Sequence, residues 1–103
     1  MKLIKLLSDE IKHNIHEAEG KIEMAYKMRD VDKAVADWYK DMAVKHLAFN
    51  ETGHSIVARL IKEAEEPNKS NPLYAGMMAV YNEMHADIMA ESAEVQGMIS
   101  AYK

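Results

Sequence analysis

Five histidines set among acidic residues are the side chains of this chain with the widest chemistry open to them. Two of them follow a glutamate by three positions: Glu10 precedes His13, and Glu51 precedes His54. Residues three apart share one face of a helix, so each pair can aim a carboxylate and an imidazole at one ion. Oxygen and imidazole donors without sulfur suit iron, manganese or zinc. Glu17 lies one turn beyond His13, and His46, His85 and Glu91 complete the set of candidate ligands.

The elements that must position them are helices. The composition has four Gly, two Pro and nine Met, with 49% hydrophobic and 29% charged residues, which favours a folded helical domain over disorder. The polar stretch EEPNKSNP, residues 65–72, is one break, with Asn71 placed to cap a helix that begins at Pro72. RDVD, residues 29–32, is a second, where Asp30 or Asp32 can cap. Helices are therefore expected over about 2–28, 32–65 and 72–102, forming one all-α domain, an antiparallel up-down-up three-helix bundle.

At about 100° per residue each helix shows a core stripe. The first carries Ile4, Leu7, Ile11, Ile15, Ala18, Ile22 and Ala25. The second carries Val31, Val35, Trp38, Met42, His46, Phe49, Gly53, Ile56 and Leu60. The third runs from Leu73 through Met77, Val80, Met84, Ile88, Glu91, Val95 and Met98 to Tyr102. Gly53 on its stripe suggests a close approach by a neighbouring helix. A second stripe on the middle helix holds Ala36, Ala43, Leu47, His54, Ala58 and Ile61. Self-association would bury it, so a homodimer is expected, with Leu47 and Ile61 in its interface.

His46 and Glu91 stand out as polar residues on core stripes. Folding the second helix against the third puts them level, and a Glu among Met84, Ile88, Val95 and Met98 needs a partner, a proton or a metal. The plain alternative is a hydrogen-bonded pair that fixes helix register. The same folding places His54 near Glu83 and His85. The histidines and their acidic neighbours thus fall within a slab of about ten residues, roughly 15 Å.

Carboxylate-rich helices with Glu51-x-x-His54 in mid-helix resemble the ferritin-like superfamily. That resemblance implies a bundle contributing Glu and Glu-x-x-His ligands to a di-iron or di-manganese centre. Glu51 and His54 would then ligate metal, with Glu17 or Glu10 and Glu91 as the single glutamates. The implied chemistry is oxidation of ferrous iron, or reaction with oxygen or peroxide. This chain departs from the pattern: it has three helices, its other Glu-x-x-His lies on the first helix, and Glu83-x-His85 has a different spacing.

Composition narrows the remaining possibilities. With no cysteine there are no disulfides, thiolate metal sites or thiol catalysis. A net charge of −4 with interleaved basic residues argues against a nucleic-acid partner. No apolar run approaches the ~18 residues of a membrane span. Asp9 and Glu10 end the first apolar run too early for a signal peptide, so a cytoplasmic protein is expected. No phosphate loop, nucleophile elbow or Ser-His-Asp pattern marks an enzyme class. Two expectations stand: a bundle binding a divalent transition metal, iron foremost and manganese or zinc next, or a non-enzymatic helical module that acts by pairing with itself or another helical protein.

Overall fold

A computed structural model describes residues 2–65 and 72–102. They form three α-helices: α1 (Lys2–Met28), α2 (Lys33–Glu65) and α3 (Pro72–Ala101). Most of the EEPNKSNP break, with the expected cap Asn71, lies outside the described residues. At the other break, α1 ends where the Met28 carbonyl accepts from the amides of Val31 and Asp32, at 2.9 and 2.8 Å. Asp32, not Asp30, starts α2: its Oδ1 accepts from the Val35 amide at 3.2 Å, satisfying one of the unpaired N–H groups of the first turn. The molecule is a rod of 59 × 16 × 16 Å.

The buried residues follow one rule in all three helices. On α1 they are Ile4, Ser8, Ile11, Ile15, Ala18, Ile22 and Ala25. On α2 they are Ala36, Ala43, Leu47, Asn50, Val57 and Ile61, with half-buried Lys40 and His54 between them. On α3 they are Met78, Ile88, Val95 and Ile99, continued by Tyr102 just past its end, with half-buried Tyr81, His85 and Ser92 filling the gaps. Steps of three and four alternate throughout, a 3.5-residue repeat of the kind that coiled-coil seams use.

This seam corrects the expected packing of α2. Val31, Val35, Trp38 and Phe49, assigned to the core, are exposed, and Met42, His46, Gly53, Ile56 and Leu60 are half-buried. Ala36, Ala43, Leu47 and Ile61, assigned to a self-association face, are in the core, while Ala58 is exposed. The expected stripe and the seam keep nearly the same spacing and lie one position, about 100°, apart over most of α2, so the exchange is a turn of the whole helix about its axis. Small residues admit a closer helix than large ones do: the Ile11–Asn50 and Asn14–His46 contacts bring Ala18 near the level of Ala43, and Ala25 near Ala36. On α3 the expected stripe holds from Met84 onward, but Met77 and Val80 are exposed and Met78 is buried in their place.

Gly53 meets its expectation. A Cβ there would lie 3.0 Å from Cγ1 and 3.1 Å from Cδ1 of Ile11, so α1 approaches α2 closely at this point. The far end of the bundle is closed by aromatic residues. The Tyr26 hydroxyl donates to the Met98 carbonyl at 2.9 Å, and its ring meets that of Tyr102 edge-on at 5.2 Å. Lys40 lies 5.7 Å over the Tyr102 ring.

Candidate functional site

Most of the three seams is apolar, but one level is not. Near the Ile11–Gly53 approach, the seam positions are Ser8 on α1, Asn50 and His54 on α2, and His85 on α3. Asn50 is 1% exposed; its Nδ2 donates to the Ile11 carbonyl at 3.1 Å, and its Oδ1 has no partner. The Ser8 hydroxyl, on a residue 2% exposed, has none either. Both ring nitrogens of His54 and Nε2 of His85 are buried without a hydrogen-bond partner. A buried polar atom left unpaired costs about 1–3 kcal/mol. A level carrying several of them is poor for stability, which marks it as the candidate site.

His54 and His85, expected at one level, face each other with ring centroids 5.8 Å apart and planes inclined at 52°. Burial, and then the neighbouring His85, lower the His54 pKa from its ordinary value near 6.5, so the ring is held neutral with lone-pair nitrogen available. The unfolded chain therefore takes up this proton before the folded one. The contribution of His54 to stability is complete above about pH 6.5 and declines as pH falls below it. Denaturation midpoints measured from about pH 8 down to about pH 5 should fall, and His54→Gln should remove most of the His54 share of that fall. A slope unchanged by the substitution would show that His54 titrates as it does in the unfolded chain.

Glu51 is exposed and lines, with His54, a groove of about 340 Å³ between α2 and α3 whose other walls include Leu47, Met89 and Gln96. The remaining expected ligands are dispersed. His46 is half-buried against α1, its Nδ1 3.4 Å from Asn14 Oδ1, in a hollow shared with Glu10, Met42 and Phe49. Glu91 lines a groove between α1 and α3 with Ser8, Asp9 and Lys12, and its Oε2 is buried without a partner. The expected His46–Glu91 pair is thus not formed: the two line grooves on different sides of α1, because His46 falls off the α2 seam. Glu17 pairs with Lys21 at 3.7 Å, and His13 and Glu10 are exposed. Among the described residues, no three His, Cys, Asp or Glu side chains are placed to hold one metal ion.

Ser8 and Asn50 escaped the sequence reading. Each stands one position after a larger apolar residue, Leu7 or Phe49, that a hydrophobicity reading ranks above it. No described helix is long and apolar enough to cross a membrane. Comparison with known proteins finds no matching family model, no similar curated protein and no similar solved structure. What the structure defines, over the described residues, is an all-helical arrangement of three long helices with a polar level in its seams.

Proposed function

We propose that this protein is a helical bundle, running up, down and up, that binds a single divalent transition-metal ion on the His54–His85 pair. The observation that carries this reading is two facing imidazoles with three buried, unpartnered nitrogens. An ion at the usual ~2.0–2.1 Å from an imidazole nitrogen lies about 3.2 Å from that ring's centroid, so two rings on one ion stand about 5 Å apart at a tetrahedral angle and about 6 Å at wider ones. The 5.8 Å separation falls in this range. Metal binding also needs neutral imidazole, the form that burial favours at His54.

Glu51, three residues before His54 and on the same groove, is the third ligand after a side-chain rotation. Water completes the shell. Imidazole donors suit zinc and ferrous iron alike. A dinuclear centre of the ferritin-like kind needs further carboxylates at the ion. Glu10, Glu17 and Glu91 stand on other faces, so we assign binding and no redox step. The bound ion would clamp α3 onto α2.

The reading is tested on untagged, metal-stripped protein titrated with zinc and, anaerobically, with ferrous iron. One ion per chain should bind, raising the thermal midpoint, and His54→Ala with His85→Ala should abolish both effects. His13→Ala with His16→Ala, on the exposed face of α1, should change neither. Failure to bind either ion at stoichiometric level, or binding that survives loss of both seam histidines, rejects the proposal.

A further inference from the structure

The groove between α1 and α3 has a volume of about 410 Å³ and opens on a different face of α3 from the His54 groove. Its size lies within the ~300–1,000 Å³ of small-molecule pockets. Four carboxylates line it, from Asp9, Asp87, Glu91 and Glu94, against the single ammonium of Lys12. Asp9 is already paired with Lys5 at 2.9 Å. Among the described residues, Asp87, Glu91 and Glu94 have no ion pair.

Acidic residues alone make only a solvated face, but two buried groups set this groove apart. Glu91 is half-buried in a lining it shares with Met84 and Ile88, and its Oε2 is buried without a partner. Ser8, 2% exposed, lines the same groove with its hydroxyl unpaired. Both are costly unless a ligand supplies the missing hydrogen bonds. Both also have a way to reach one: the Ser8 hydroxyl turns about a single bond, and the Glu91 carboxylate exchanges its two oxygens by rotation.

The arrangement of the carboxylates selects the ligand. They do not converge, since among the described residues no three acidic or histidine side chains are placed to hold one metal ion. They are strung along α3 instead. Asp87, Glu91 and Glu94 fall within about 60° of one helix face, with successive rises of about 6 and 4.5 Å. An extended aliphatic chain advances by about 1.2 Å per bond, so ammonium groups separated by four and by three methylenes stand about 6 and 5 Å apart. The methylenes between them would lie against Met84, Ile88 and Ala90. A lysine side chain from a protein partner would enter crosswise and answer one carboxylate only.

We propose that the α1/α3 groove binds a linear aliphatic polyamine lengthwise, its ammonium groups on Asp87, Glu91 and Glu94, with the Ser8 hydroxyl accepting from one of them. Lys12, the one cation of the lining, opposes this binding. The site does not depend on the His54–His85 pair.

The probe is spermidine, titrated by calorimetry into the metal-stripped full chain at low salt, where screening is weakest. One molecule per chain should bind. Glu91→Gln, which keeps the shape of the side chain, should retain the helical circular-dichroism signal and weaken binding at least tenfold, as loss of a charged hydrogen-bond partner does. Lys12→Met should tighten binding about two- to fivefold by removing a like charge. Glu19→Gln with Glu23→Gln, both exposed on α1, should change it by less than about twofold. Acetylated, amidated trilysine carries the same three charges on branches and should bind at least tenfold more weakly than spermidine. No binding at one per chain, tighter or unchanged binding after Glu91→Gln, weaker binding after Lys12→Met, an equal loss with the Glu19 and Glu23 changes, or trilysine matching spermidine overturns the proposal.

Discussion

Ile15→Ala should cost about 2–5 kcal/mol, a large part of the ~5–15 kcal/mol that holds a domain of this size. Ile15 is 1% exposed at mid-seam on α1, among the largest side chains that are wholly buried. Truncation removes apolar contact and leaves a cavity that long, parallel-sided helices cannot close without shifting their whole length. Leu47→Ala should fall in the same range, because Leu47 lies in the core cluster with Ile15. Val31→Ala, at a position 75% exposed, should change stability by no more than about 0.5 kcal/mol. Urea denaturation followed by circular dichroism separates these outcomes. A neutral Leu47→Ala would mean that α2 is turned the other way, as its hydrophobic pattern first suggests.

The second large effect has the opposite sign. Replacing His54 and His85 together by Leu should stabilise the metal-free protein by about 1–3 kcal/mol, because three buried ring nitrogens without partners give way to apolar groups at seam positions. The same change should remove metal binding and the His54 share of the acid sensitivity. Stability gained with binding lost is the signature of side chains retained for function at the expense of the fold. If the double variant is less stable than the parent in metal-free buffer, the two rings are satisfied in the folded state and the site loses its physical motive.

Much of the architecture was legible because helix-forming composition and two polar breaks leave few options for a chain of this length. The bounds of α1 and α2 agree with expectation to within a residue, and Asp32 caps as its type and place suggest. The α1 stripe was legible because its isoleucines carry both the size and the spacing of a core. On α2 the cues conflict. The large residues Trp38 and Phe49 trace one stripe and the small Ala36 and Ala43 trace another, and a hydrophobicity reading ranks the wrong one first. His54 and His85 were placed level by counting residues from the loop. His46 and Glu91 were placed level by the same count, but level is not contact: the angle around the helix decides whether two side chains meet, and an error of one position turns a residue by about 100°.

By itself, then, the amino-acid order determined three helices, their ends and the shared height of His54 and His85, since these depend on local propensity and on 1.5 Å of rise per residue. Only the tertiary structure decided which face of α2 turns inward. That choice depends on how closely a second helix can approach, a property of the pair that no single stripe encodes. With it came the buried places of Ser8 and Asn50, the facing rings of His54 and His85, and the outward Trp38.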